Sequence, residues 1–465
     1  APVEVGAGSR VVGATVNVGG RLTVEITRVG VDTELSRMRR LMEEAQTGKA
    51  RVQRLADRVS GIFVPIVMML AIAAFAGWLL VGGSVELAFT AAIATLIIAC
   101  PCALGLATPT ALLVGTGRGS QMGILIRGPQ VLEQTRTVDT IVLDKTGTVT
   151  TGTMAVTAVH PAPGVTREQL LAAAAAVEFG SEHPVARAIV AGSVPVPPAE
   201  TFDSHAGFGV QGIVAGSLVV AGRPSWLQEQ WSIHPTAQLQ HDADELQTAG
   251  ATVVAIGRDG THLGIIAVAD TVKPTSAEAV ARFRALGMTP VLLTGDNDGA
   301  AREIARQVGI DQVHAGVTPA GKLDVVRQLQ GDGRVVAMVG DGVNDAAALA
   351  AADLGLAMGG GTDAAIAASD ITVVSGDLLV VADAIRLARR TLGTIKGNLF
   401  WAFAYNVAAI PVAMAGLLNP LVAAAAMALS SVFVVTNSLR LRGFRTIPAS
   451  STTATPEPAR VSARV

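Results

Sequence analysis

Hydrophobic residues are gathered into four long stretches of the chain that contain no charged residue. These stretches cover residues 62–81, 87–114, 399–418 and 421–439. About 20 residues of helix cross the ~30 Å hydrocarbon core of a bilayer, and each stretch is at least close to that length. Helices buried in a soluble core usually keep a polar stripe along one face. The pattern therefore predicts four membrane-spanning helices.

Lysine and arginine residues are distributed unevenly around these stretches. The short links 82–86 and 419–420 contain neither residue type. The opposite ends carry Lys49, Arg51, Arg54, Arg58, Arg118, Arg127, Arg389, Arg390, Lys396, Arg440, Arg442 and Arg445. Because positively charged loops stay in the cytoplasm, we expect a multi-pass protein of the cell membrane with a cytoplasmic middle segment and cytoplasmic termini.

The composition supports a membrane protein. Of the 465 residues, 50% are hydrophobic and only 15% are charged, whereas an ordinary soluble domain has roughly 25% charged residues. The formal net charge of −2 gives no indication of nucleic-acid binding. The lipid bilayer is the partner that the composition predicts.

The middle segment, between the second and third stretches, alternates strand-like and helix-like runs. Apolar runs in VDTIVLDKTGT, MTPVLLTGD, GRVVAMVGDG and ADLGLAMG predict a parallel, doubly wound α/β sheet. Between 153 and 268 the pattern changes. Thr166 and Gln169 match a capping box, Pro184 can begin a helix, and Asp259-Gly260 is a type I′ hairpin signal. An α+β module is therefore predicted inside the sheet domain.

Residues suited to phosphate chemistry follow the predicted parallel strands. Asp144 ends the first strand, Asp296 follows the second, and Asp341 and Asp345 follow the third. Carboxyl ends of parallel strands meet at the ligand-binding edge of such a sheet. A carboxylate there can attack a phosphoryl group, neighbouring carboxylates can hold Mg²⁺, and Lys322 could neutralise the phosphoryl charge. The spacing predicts a phosphoryl transfer that forms an aspartyl phosphate at Asp144.

Four motifs in this order, CPC (100–102), DKTGT (144–148), TGDN (294–297) and GDGVND (340–345), resemble those of heavy-metal-transporting P-type ATPases. The resemblance implies a haloacid-dehalogenase-like phosphorylation domain in which Asp144 accepts the γ-phosphate of ATP. It implies Mg²⁺ ligation by Asp144, the Thr146 carbonyl, Asp341 and Asp345. The remaining catalytic residues that it assigns are Lys145, Thr146, Thr294, Gly295, Asp296, Lys322 and Asn344.

The inserted module resembles the nucleotide-binding domain of the same family. The resemblance assigns ATP binding to Glu178, His183, Gly207 and Gly209. Glycines without a Cβ can let a nucleotide approach the backbone closely. A histidine before a proline is also a common helix cap, so both roles stay open for His183.

Both cysteines of the chain, Cys100 and Cys102, lie in the second hydrophobic stretch and flank Pro101. Residues two apart on a regular helix point about 200° away from each other, so an interruption at Pro101 is needed for both to reach one ion. Thiolates select soft ions, Cu(I) foremost, with Zn(II) and Cd(II) as alternatives.

Further candidate ligands occur in the third and fourth stretches. Tyr405 is followed by Asn406, and Met427, Ser430 and Ser431 share one helical face. No carboxylate or lysine lies in the four stretches, which favours a monovalent ion. These residues resemble the copper(I) branch of the family, which implies that Cys100, Cys102, Tyr405, Asn406, Met427 and Ser431 hold copper(I).

The resemblance implies ATP-driven export of copper(I), with a copper chaperone as a candidate partner and the oligomeric state left open. A zinc or cadmium P-type ATPase and a haloacid-dehalogenase-type phosphatase remain alternatives. The segment begins after the family's earlier spans and actuator loop, so we expect nucleotide binding without a complete transport cycle. The expected organisation begins with a remnant of a β-rich actuator domain (1–31), an amphipathic connecting helix (32–60) and two transmembrane helices with CPC (61–115). The phosphorylation domain follows in two parts (116–152 and 269–390) around a nucleotide-binding domain (153–268). Two further transmembrane helices (391–440) and a disordered tail (441–465) complete the expected order.

Overall fold

The computed structural model describes residues 24–25, 51–99, 102–205, 207–342, 345–359 and 363–448. The prediction for 1–31 therefore lies almost wholly outside the described residues, as does the predicted tail after residue 448. The first residues of the predicted disordered tail are ordered, since Arg440–Gly443 forms a short 3-10 helix and Leu441 and Phe444 are buried. In the predicted connecting helix, the backbone of 51–60 is described.

Helices form the membrane part and flank both sheets. They are α1 (Arg51–Leu80), α2 (Val85–Ile98), α3 (Cys102–Gln121), α4 (Pro129–Thr137), α5 (Arg167–Glu178), α6 (Pro184–Ala191), α7 (Pro224–Trp231), α8 (Ala237–Thr248), α9 (Ser276–Ala285), α10 (Asp298–Val308), α11 (Pro319–Gly331), α12 (Ala346–Ala351), α13 (Asp363–Ala368), α14 (Leu378–Met414) and α15 (Pro420–Leu439).

The strands belong to a parallel and an antiparallel arrangement described below. They are β1 (Ile124–Ile126), β2 (Thr140–Asp144), β3 (Thr150–Pro161), β4 (Asp203–His205), β5 (Gly209–Val214), β6 (Ser217–Gly222), β7 (Thr252–Arg258), β8 (Thr261–Val272), β9 (Thr289–Leu293), β10 (Gln312–His314), β11 (Val336–Gly340), β12 (Leu354–Met358) and β13 (Ile371–Val373).

The chain divides into two compact units, and the first contains the membrane helices. The described residues include four helical stretches long and apolar enough to cross a membrane, Gly61–Leu80, Val85–Gln121, Leu378–Met414 and Pro420–Gly443. The four predicted spans are thus confirmed. The expected boundaries at 60/61 and 390/391 fall inside α1 and α14, because no cap or helix-breaking proline occurs at either position.

The second hydrophobic stretch is described on both sides of residues 100 and 101. Helix α2 ends at Ile98, and the N–H of Ala99 donates to the carbonyl of Thr95. The description of α3 starts at Cys102. The predicted interruption at Pro101 lies outside the described residues.

Close contacts fix α3, α14 and α15 against one another within this unit. A Cβ added to Gly115 of α3 would lie 2.5 Å from the Oγ1 of Thr391, so the glycine permits the approach of α14. The buried Asn398 donates to the Ser438 hydroxyl at 3.0 Å, which joins α14 to α15. The ends of these helices are therefore held by packing and by polar contacts.

The second unit contains the parallel strands in the order β12-β11-β2-β9-β10 and a six-stranded antiparallel sheet in the order β3-β8-β7-β6-β5-β4. Strand β3 leaves the parallel strands and pairs antiparallel with β8, which returns to them. The predicted insertion of an α+β module is confirmed. The capping box at Thr166 and the left-handed pair Asp259 (φ 46°) and Gly260 (φ 79°) are confirmed as well.

Candidate functional site

Asp144 is the last residue of β2, which lies between β9 and β11 in the parallel sheet. The loop Lys145–Val149 then turns away from the strand. Gly147 in this loop has φ 73°, and a Cβ there would lie 1.9 Å from the Oδ2 of Asp341. The loop can approach Asp341 in this way because residue 147 has no side chain.

Three carboxylates converge at the carboxyl ends of the strands. Asp144, Asp341 and Asp345 each contribute one oxygen, and these oxygens lie within 4.8 Å of one another. Asp144 is 5% exposed and Asp345 is 1% exposed. The Nζ of Lys322, in the first turn of α11, lies 2.5 Å from the Oδ1 of Asp144 and 2.7 Å from the Oδ1 of Asp345. The structure thus brings together three of the four carboxylates that follow the predicted strands, and Lys322 with them.

The cluster holds more negative than positive charge. Burial raises the pKa of Asp144 to about 7, and Asp345 adds to the shift while Lys322 opposes it. Burial and the Asp345 charge also raise the pKa of Asp341. Burial alone would lower the pKa of Lys322, but the carboxylates of Asp144 and Asp345 raise it overall. Lys273 lowers the pKa of Asp341 in part, and a divalent cation would relieve the negative charge that remains.

The donor set fits Mg²⁺, which prefers carboxylate oxygens and substrate phosphates. Asp144, Asp341 and Asp345 are the residues that would hold it. When bound, the ion neutralises phosphate charge and orients the phosphoryl group. The predicted ligation by the Thr146 carbonyl stays a prediction; the Thr146 side chain is exposed and follows Asp144 in the loop.

The other predicted catalytic residues surround this cluster. The Nζ of Lys145 contacts the Oδ2 of Asp296 at 2.6 Å, which ties the loop after β2 to the loop after β9. Thr294 is buried, and its hydroxyl accepts a hydrogen bond from the N–H of Asp296 at 3.1 Å. Gly295 between them is exposed. Asn344 lies outside the described residues.

Lys273 and Asp270, at the end of β8, were not among the predicted residues. The Nζ of Lys273 donates to the carbonyl of Gly147 and, at 2.8 Å, to that of Gly376. Asp270 accepts from the Thr150 hydroxyl at 2.5 Å. Both residues brace the loop that follows Asp144. The only sequence signal for them is their position where the inserted module returns to the sheet.

In the inserted module, Glu178 is the last residue of α5 and is 6% exposed. Its burial raises the pKa of the Glu178 carboxyl to about 7. The Nδ1 of His183 accepts from the N–H of Val185 at 3.3 Å and so caps α6. Gly207 has φ 79°. A Cβ on Gly209 would lie 2.3 Å from the carbonyl oxygen of Ala221, so strand packing requires this glycine.

The candidate ion ligands lie on α14 and α15. Tyr405 packs with Ile98 and Ala99, the last described residues before Cys100, and its buried hydroxyl has no hydrogen-bond partner among the described residues. Asn406 is 6% exposed. Met427 and Ser431 are half-buried. Cys100 lies outside the described residues, and Cys102 is the first residue of α3, with its backbone alone described.

Comparison with known proteins agrees with this arrangement. A family model for haloacid dehalogenase-like hydrolases matches residues 138–353. The chain is 55% identical over 447 residues to a probable copper-exporting P-type ATPase V of Mycobacterium tuberculosis, covering 95% of this chain and 58% of that protein. It is 53% identical over 447 residues to a copper-exporting P-type ATPase of the same species, covering 96% of this chain and 58% of that protein.

A solved structure of a zinc-transporting PIB-type ATPase in the E2.Pi state matches with a TM-score of 0.75 at 36% identity, covering 90% of this chain and 69% of that chain. The chain belongs to the P-type ATPase family, in its PIB, heavy-metal-transporting class. It spans 58% of the length of the curated relatives it matches.

Replacing Gly147 with alanine should displace Asp341, because the added Cβ would overlap the Oδ2 of Asp341. We expect Mg²⁺ affinity, measured from the Mg²⁺-dependent rise in Tm, to fall at least about ten-fold. Gly164→Ala is the matched control, since Gly164 has a similar φ of 85° and no atom within 4 Å of the new Cβ. Equal Mg²⁺ affinities for the two variants would contradict the proposed metal site.

In Mg²⁺-free buffer, Asp144→Asn should stabilise the chain at pH 8 by on the order of 2 kcal/mol. The pKa of Asp144 in the folded chain, about 7, lies above its ordinary value of 3.8. The contribution of this carboxyl to the free energy of unfolding is therefore fully present below pH 4 and is lost as the pH rises through 7. The gain in Tm should therefore vanish at pH 4. The exposed Asp324 on α11 supplies the control Asp324→Asn. A gain from Asp144→Asn that is the same at both pH values would be inconsistent with the raised pKa.

Proposed function

We propose that this chain is the catalytic and ion-binding part of an ATP-driven copper(I) exporter. The Asp144 carboxylate attacks the γ-phosphorus of ATP, the bond to the bridging oxygen breaks, and ADP leaves. Lys322, within hydrogen-bond distance of Asp144, offsets negative charge on the transferred group. Copper(I) bound in the membrane is released on the opposite side during the cycle of the whole protein.

The observation that carries this proposal is the packing of α15 against the end of α2 and the first described turn of α3. Ala423 packs in the cluster that contains Ile98 and Ala99. Val434 packs with Ala103, in the first turn of α3. Met427 and Ser431 lie between Ala423 and Val434 along the same helical face.

These residues lie on helices that pack against Ile98, Ala99 and Ala103, the described residues on either side of the CPC motif. The Tyr405 hydroxyl has no hydrogen-bond partner among the described residues. Sulfur, hydroxyl and amide donors suit a soft monovalent cation. The relatives named above as copper-exporting support copper(I). The zinc-transporting structure supports zinc as the second candidate. The absence of carboxylates and lysines from the hydrophobic stretches favours the monovalent ion.

Met427→Leu should weaken copper(I) binding about ten-fold, because leucine preserves volume but removes the thioether. Anaerobic titration of the purified chain in detergent, with a competing copper(I) chelator and in parallel with Zn(II), measures this change. Met69→Leu is the control, since Met69 is 63% exposed on α1. Cys100→Ser should abolish binding. Tight Zn(II) binding that depends on Cys100, without copper(I) binding, would overturn the copper assignment.

His183→Asn should separate the two roles of His183. Asparagine is a good N-cap residue, so the Tm should stay unchanged, whereas loss of the imidazole should weaken ATP binding about ten-fold. Titration with a non-hydrolysable ATP analogue measures the affinity. His183→Ala should lower both Tm and affinity. Unchanged ATP affinity in His183→Asn would limit His183 to capping α6.

A further inference from the structure

A cavity of about 370 Å³ opens in the first unit between α14 and the end of α15. Its lining consists of Arg390, Gly393, Thr394, Asn437, Arg440 and Leu441. The volume falls within the ~300–1,000 Å³ typical of small-molecule sites. Two guanidinium groups and no carboxylate border it, so its chemistry favours an anion.

The cavity lies at the depth of phospholipid headgroups. Arg440 is the first charged residue after the apolar stretch 421–439. At 1.5 Å per residue this stretch covers ~28 Å, close to the thickness of the hydrocarbon core. The positive-inside distribution places this end of α15 at the cytoplasmic face.

Arg390 and Arg440 differ from neighbouring arginines in their contacts with the described residues. Arg389 donates to the carbonyl of Thr135 at 2.9 Å, and Arg118 donates to a backbone carbonyl at 2.9 Å. Neither Arg390 nor Arg440 forms a side-chain hydrogen bond or ion pair with a described residue. Two such arginines at one cavity suit a phosphate group, which accepts several N–H donors at once.

The other polar lining groups offer acceptors. The Nδ2 of Asn437 donates to the Oδ1 of Asn398 at 2.7 Å, which leaves the Asn437 oxygen free to accept. We propose that this cavity binds the headgroup of an anionic phospholipid of the cytoplasmic leaflet. The phosphate lies between Arg390 and Arg440, and a headgroup hydroxyl donates to Asn437. Phosphatidylglycerol carries both groups and is the appropriate probe.

The test measures how phosphatidylglycerol raises the Tm of the purified chain in a neutral detergent, and how much of this lipid native mass spectrometry finds retained. Arg390→Gln and Arg440→Gln should each weaken lipid binding about five-fold, which corresponds to about 1 kcal/mol per charge. Lys396→Gln removes an exposed cation from the same membrane face outside the cavity, and should leave binding unchanged.

Gly393→Leu provides a variant that keeps both charges. A Cβ at Gly393 meets no atom within 4 Å, so the new side chain can enter the cavity without displacing the protein. Leucine favours a helix more than glycine does, so we expect the Tm without lipid to be unchanged or higher, and the lipid-dependent rise to be lost.

Three results would overturn the proposal. Equal weakening by Lys396→Gln would mean that a diffuse positive potential attracts the lipid. An equal effect of phosphatidylcholine would exclude recognition of net negative charge. Equal protection by soluble glycerol 3-phosphate would identify a free phosphate ester, and not a lipid, as the occupant.

Discussion

The structure depends on three neighbouring carboxylates whose charge two lysines compensate only in part. Asp144 and Asp345 are buried, Asp341 is half-buried, and the three repel one another, while Lys322 contacts the first two and Lys273 acts on Asp341. Such a site is costly in the apo protein and becomes favourable with a divalent cation and a phosphate. The surrounding loops are therefore built to hold the carboxylates together against their repulsion.

The inserted module supports this arrangement. Its two connecting strands, β3 and β8, pair beside the loop Lys145–Val149, and Lys273, directly after β8, donates to the carbonyl of Gly147. Asp270 in β8 accepts a hydrogen bond from the Thr150 hydroxyl. The position of the loop after Asp144 is thus tied to the strands that connect the inserted module to the parallel sheet.

The sequence predicts features that follow from local rules. Asp144, Asp341 and Asp345 could be found because strand ends converge, and the capping box at Thr166 because its spacing is specific. The role of Lys273 could not be found, since its partners are backbone carbonyls far away in sequence. The packing role of Gly209 depends on the approach of Ala221, which no local pattern encodes. The boundaries expected at residues 60 and 390 fall inside α1 and α14 because family domain limits need not coincide with helix ends.

The end of α2 also has an electrostatic consequence. Peptide dipoles place about half a negative elementary charge at the carboxyl end of a helix. The carboxyl end of α2, at Ile98, therefore attracts a cation. This partial charge comes from the main chain. A cation near Ile98 can thus meet a favourable field although the hydrophobic stretches contain no acidic side chain.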